Sequence, residues 1–136
     1  MSFEAYVFIG ITAFVILIVC IVIFKYLPKR LKHEKLGARW KQVQQRCSDE
    51  AQWPQAIIEA DNLLVEVLKN KRYKGTSAGE RLVAAQKDFS NNDAVWYGHK
   101  LRTKIDTNSE LKLSKEEVQK ALLGLRQGLK DIGALK

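Results

Sequence analysis

Residues 6–24 read YVFIGITAFVILIVCIVIF, nineteen positions without a charge, and only Gly10 and Thr12 fall outside the apolar set. Apolar side chains therefore occupy every face of a helical wheel, and no polar stripe is left to meet water. At 1.5 Å per residue such a helix spans about 28 Å, close to the roughly 30 Å of a bilayer's hydrocarbon core. A helix satisfies its own backbone polar groups, so the many β-branched residues do not disqualify it in lipid. A cleaved signal peptide would carry a basic segment, a shorter apolar run and small residues before the cut. Here the residue ahead of the run is the acid Glu4, and Lys25-Tyr26-Leu27 follows it. The pattern predicts a retained transmembrane helix over 6–24, with a short extracytoplasmic tail, 1–5, before it.

The spacing then changes. In a neck of residues 25–47, Leu36, Trp40, Val43 and Cys47 recur at intervals of 4, 3 and 4. That is a narrow stripe on a short amphipathic helix, with Arg39, Lys41 and Arg46 off it. Two heptads are too few for a coiled-coil dimer, so the stripe is expected to pack on the following domain. Pro28 is placed to kink the chain.

The body, 48–136, reads as a small all-α four-helix bundle. Ser48, Asp49 and Glu50 suit a helix start, and Pro54 is tolerated in a first turn, so the first helix should run to about Lys71. Ser77-Ala78-Gly79-Glu80 has the capping-box pattern and opens a second helix to about Lys87. Asp93 is a candidate cap for a third, ending near Ile105. Ser114-Lys115-Glu116-Glu117 opens the last, whose Val118, Leu122, Leu125, Leu129 and Ile132 form one stripe. No segment alternates with period two for long enough to propose a sheet.

Polar residues inside apolar arcs carry the most information. Ile57, Ile58, Ala60, Leu64, Val65 and Leu68 define the buried arc of the first body helix, and Asp61 falls in its middle. On the third helix Ala94, Val95, Gly98, Leu101 and Ile105 define the arc; Arg102 falls inside it and His99 at one edge. Arg81 flanks the Leu82, Ala85, Phe89 face of the second. An unpaired buried carboxylate costs several kcal/mol or changes protonation, so Asp61 is expected to pair with Arg81 or Arg102 in a bundle-specifying network. Asp61, His99 and Arg102 are the candidate binding residues.

Charge sharpens this division. The chain carries +8, but residues 1–24 hold only Glu4, residues 25–46 hold eight Lys/Arg against one Glu, and residues 47–136 hold fifteen against thirteen. The first 24 residues also contain 20 of the apolar residues, which make up 46% of the chain. A long multidomain enzyme, a disulfide miniprotein and a disordered chain are excluded. With every Lys and Arg downstream of the apolar run, the positive-inside rule predicts a single-pass cell-membrane protein, N-terminus outside and body cytoplasmic. Cys20 then falls in the bilayer and Cys47 in a reducing compartment, so no disulfide is expected. Lys25, Lys29, Arg30, Lys32 and Lys35 are read as membrane-proximal cations facing anionic headgroups, with Tyr26 and Trp40 suited to the same region, rather than as a nucleic-acid site.

Other chemistry is thin. The sequence has no phosphate-binding Gly loop, no His/Cys metal spacing and no nucleophile elbow, so neither metal nor cofactor is expected. Gly124-Leu125-Arg126-Gln127-Gly128 reads as permitting close helix packing, and Lys69, Lys71, Arg72 and Lys74 as solvated cations at a helix C-terminus.

The run Ala56-Ile57-Ile58-Glu59-Ala60-Asp61-Asn62-Leu63-Leu64, with Tyr73-Lys74-Gly75, Glu80-Arg81-Leu82 and Val95-Trp96-Tyr97-Gly98-His99-Lys100-Leu101-Arg102, resembles bacterial membrane-anchored proteins. Their soluble part is similar to the HEPN-type helical bundle. The resemblance covers most of residues 50–135 and implies a HEPN-like fold. HEPN ribonucleases carry an Arg, often followed by a polar residue, and a His four to six residues further on, used on RNA across a dimer. Arg102 and Thr103 match the first part, but Lys104-Ile105-Asp106-Thr107-Asn108 has no His, and Thr107 stands at its place. Neither Thr nor Asp replaces imidazole as a proton carrier near neutral pH. The expectation is a non-catalytic member, a membrane-anchored cytoplasmic binding or scaffold module with a protein partner or a second copy. The alternative is a membrane-tethered RNA-binding or vestigial ribonuclease module.

Overall fold

The computed structural model describes residues 2–136, the side chains of residues 26–31 excepted. All regular structure among the described residues is helical. Five α-helices follow in order: α1 (Phe3–Arg46), α2 (Trp53–Asn70), α3 (Ala78–Ala85), α4 (Asn92–Thr107) and α5 (Lys115–Asp131). Short 3-10 turns lie at Glu50–Gln52 and Gln86–Asp88. The chain divides into two units, Met1–Lys35 and Leu36–Lys136, and α1 contributes to both.

In the first unit, Phe3–Lys25 is long and apolar enough to cross a membrane, with mean hydropathy 3.3, and none of that stretch is buried. Lys25, Lys32 and Lys35 are exposed. The helix continues through Pro28 without a break, and the headgroup roles expected of Tyr26, Lys29 and Arg30 rest on side chains outside those described.

The second unit begins at Leu36 rather than at residue 48, because the stripe on the end of α1 belongs to its core. Trp40 and Val43 are 6% and 2% exposed, and Leu36 and Cys47 pack against the same cluster. Arg46 pairs with Glu59 at 2.8 Å and Arg39 with Glu66 at 2.7 Å. A step of seven residues up α1 is thus matched by seven down α2, so the two run antiparallel. The Trp53 indole N–H closes the turn between them by donating to the Cys47 carbonyl at 2.9 Å.

This contact also turns the buried arc of α2. Ala56, Leu63 and Val67 join Ile57, Ala60, Leu64 and Leu68 in the core, while Ile58 and Val65 are only half-buried. Leu63 and Val67 share a cluster with Trp40 and Val43, a neighbour outside the wheel of α2 alone. A second cluster gathers Ile57, Leu101, Ile105, Val118 and Ala121 from α2, α4 and α5. The stripe on α5 is buried at Val118, Leu125, Leu129 and Ile132 and half-buried at Leu122.

Most helix ends lie within two residues of expectation, and the caps show why. Ser114 and Glu117 form the full reciprocal capping box on α5. On α3 only half of it forms: Ser77 accepts from the Glu80 N–H, but the Glu80 carboxylate accepts from the Thr76 N–H (2.7 Å) and hydroxyl (3.0 Å). The Thr76 N–H is the main reason the Glu80 carboxyl is drawn below its ordinary pKa. The cap of α4 is Asn91, whose Oδ1 accepts from the Ala94 N–H at 3.1 Å, and not Asp93. Asp93 sits in the first turn instead, where a negative charge suits the helix dipole. Gly124 and Gly98 bring α4 and α5 together: a Cβ on Gly124 would collide with the Ala94 carbonyl, and one on Gly98 would lie 2.6 Å from Leu125 Cγ. The GxxxG spacing therefore serves packing inside the unit.

Candidate functional site

Asp61 sits on the inward side of α2 with no exposure at all, the one charged residue so buried among the described residues. Two side chains of α4 meet it. His99 Nδ1 lies 3.0 Å from Oδ1 and 3.1 Å from Oδ2, and Arg102 Nη1 donates to Oδ2 at 3.0 Å. The spacing of three along α4 puts His99 and Arg102 on one face, one turn apart. Arg102 is held further: Nη1 donates to Asn62 Oδ1 at 2.7 Å and Nε to Asp106 Oδ2 at 2.6 Å. Burial works against the guanidinium's charge, but the hydrogen bonds of Asp61 and Asp106 prevail and hold Arg102 above its ordinary pKa.

The expected network therefore exists, with Arg102 as its cation. Arg81 makes no contact with Asp61, whose partners both come from α4. Asn62 and Asp106 are members that the buried arcs did not point to. Asp106 carried a readable signal, standing four residues after Arg102. Asn62 lies on an exposed position and carried none.

A carboxylate only accepts, so His99 presents Nδ1–H to Asp61. The ring is also braced edge-on against Trp96, with centroids 5.7 Å apart. Among the described residues Asp61 is the one side chain hydrogen-bonded to the ring. The Thr103 hydroxyl donates to the His99 carbonyl, and the Cys47 thiol donates to the Val43 carbonyl, where burial pushes its pKa up.

A groove of about 380 Å³ runs between the end of α1 and α5, lined by Trp40, Val43, Gln44, Gln119, Leu122, Leu123 and Arg126. Leu123 is 65% exposed on its rim. Comparison with protein-family models, with curated proteins and with solved structures gives no match.

Proposed function

We propose that the chain is a single-pass membrane protein whose retained apolar helix holds the second unit at the cytoplasmic face as a non-catalytic binding module. The observation that carries this reading is the apolar stretch Phe3–Lys25, none of which is buried. A water-exposed helix of that composition would expose far more contiguous apolar surface than soluble monomers carry. The orientation rests on the Lys/Arg asymmetry. The groove beside α5, with Leu123 at its rim, is the surface suited to a protein partner. Membrane fractions washed at alkaline pH should retain the full chain, and recovery in the wash would overturn the anchor. A C-terminal reporter active only outside the cytoplasm would overturn the orientation. Crosslinking in the native membrane should yield a protein adduct.

The RNA-directed reading that the HEPN resemblance offers has less support. It needs Arg102 presented to a phosphodiester, and that guanidinium is tied to Asp61, Asn62 and Asp106. RNA retained by the purified chain in a salt-sensitive way, and lost in Arg102→Ala, would reverse this preference.

A further inference from the structure

We propose that the C-terminal cap of α2 is a second membrane contact, a cationic surface of the folded body that docks on anionic lipid headgroups. It rests on the membrane-anchor reading above and extends it from the neck to the body.

Lys69, Lys71, Arg72 and Lys74 are all exposed, and among the described residues none of them enters an ion pair. The acid beside them, Asp88, is hydrogen-bonded by the Tyr73 hydroxyl at 2.6 Å. A helix C-terminus offers about half an elementary negative charge, so four cations are several times what the helix itself can balance.

Their position within the unit gives the cluster its partner. The ion pairs Arg46–Glu59 and Arg39–Glu66 fix the antiparallel register of α1 and α2. Continued in that register, Lys69 stands opposite Leu36, the residue at which the chain enters the unit. The basic cap is therefore at the entry end. Residues 26–35 are all that separate this end from Lys25, the last residue of the apolar stretch, a tether of at most about 35 Å even if fully extended. A bilayer holding the apolar stretch is thus present at the cap at high effective concentration, which no free polyanion matches. The cytoplasmic leaflet supplies the anionic charge.

The backbone at Arg72 adds an independent observation. α2 and α5 end in the same motif. Tyr73 N–H donates to Leu68 O and Arg72 N–H to Lys69 O; Ala134 N–H donates to Leu129 O and Gly133 N–H to Lys130 O. The motif requires a left-handed residue at its turn. In α5 that residue is Gly133 (φ 78°); in α2 it is Arg72 (φ 64°), which bears a strain that glycine avoids. The fold keeps a cation where stability alone favours glycine.

The test is amide hydrogen exchange of the full chain in nanodiscs. Exchange in residues 69–76 should be slower in discs containing phosphatidylglycerol than in pure phosphatidylcholine discs, and 0.5 M salt should remove the difference. Exchange in the 108–114 loop should not respond to lipid charge. Each cation removed should weaken the contact about fivefold, so Lys69→Gln with Lys71→Gln and Lys74→Gln should abolish the protection. Arg72→Gly separates docking from folding: its melting temperature should equal or exceed that of the parent while protection falls. Equal exchange in neutral and anionic discs would overturn the proposal and leave the anchor intact. Protection by RNA and not by lipid would overturn it in favour of a nucleic-acid surface. Failure of the chain to enter discs at all would instead overturn the anchor, and this proposal with it.

Discussion

In the first half of α1, Phe3–Lys25, apolar side chains cover every face and none of the stretch is buried. In its last turns, residues 36–46, three cations interrupt the sequence, yet Trp40 and Val43 reach the core. Hydrophobic content and burial run in opposite directions along one helix. Spacing resolves this: Leu36, Trp40, Val43 and Cys47 form a single stripe that one neighbouring surface can cover, and the cations fall outside it. A helix apolar on all sides can be satisfied only by surroundings apolar on all sides. The first half is left unburied, and the second has a partner surface in α2.

The largest expected effect tests the first half. Val15→Asp with Val19→Asp places two carboxylates at the middle of the apolar stretch, at an insertion cost of about 5–7 kcal/mol. The variant should move from the wash-resistant membrane fraction to the soluble one. Trp40, Trp53 and Trp96 all lie in the second unit, so its unfolding can be followed by tryptophan fluorescence, which should not change. Retention of the double variant in the membrane would break the comparison. Trp40→Ala is the complement. It should destabilise the second unit by about 3–5 kcal/mol, read from Trp53 and Trp96, and leave membrane retention intact. The Trp40 indole N–H has no hydrogen-bond partner among the described residues, so the loss is one of packing.

Next comes the polar exception inside the covered unit. Asp61→Ala strands His99 and Arg102 and should cost about 3 kcal/mol, the low end for a broken buried pair. Those two side chains are 16% and 22% exposed, so water recovers part of what they lose. Asp61→Asn keeps the volume and removes the charge, and should account for most of the effect. Arg81→Ala should stay within about 0.5 kcal/mol. A larger loss there than in Arg102→Ala would mean that the network has been assigned to the wrong helix.

Much of this fold was legible in the chain. Local signals were sufficient where a contact is made within one helix or turn: the Ser114 cap, Pro54 in a first turn, the α5 stripe. Helical spacing was also sufficient to place Asp61 inside an arc, and the cost of an unpaired buried carboxylate to give it a cationic partner. They could not choose between Arg81 and Arg102, because that depends on which helix α2 presents Asp61 to. Nor could they show that Leu63 and Val67 are covered, since the covering surface comes from α1. The paired roles of Arg39 and Arg46 were hidden for the same reason: a run of neck cations reads as one signal until an antiparallel neighbour brings Glu59 and Glu66 to two of them. Asn91 over Asp93 is a difference of two residues in backbone geometry, below what composition resolves.

Alkaline pH should loosen the second unit only. The hydrogen bond to Asp88, with burial, pushes the Tyr73 pKa up to about 12. Because the folded value lies above the unfolded value near 10, this contribution is complete below pH 10 and is lost as pH rises towards 12. Relative to the parent, Tyr73→Phe should lack that decline in unfolding free energy, and membrane retention should be the same for both. A parallel decline in the two proteins would remove Tyr73 from the account.

The smallest effect asks whether the cations in the second half of α1 belong to the protein or to the lipid. Arg39–Glu66 and Arg46–Glu59 are partly exposed pairs, each worth about 0.2–1 kcal/mol. Arg39→Gln with Arg46→Gln should therefore lower the stability of the second unit by about 1 kcal/mol at low salt and by almost nothing at 1 M salt, where screening acts within about 3 Å. Membrane retention should not change. If retention in anionic membranes fell instead, with unfolding unaltered, those two arginines would be headgroup contacts. The register of α1 against α2 would then lose its support, and the two halves of the helix would share one role rather than two.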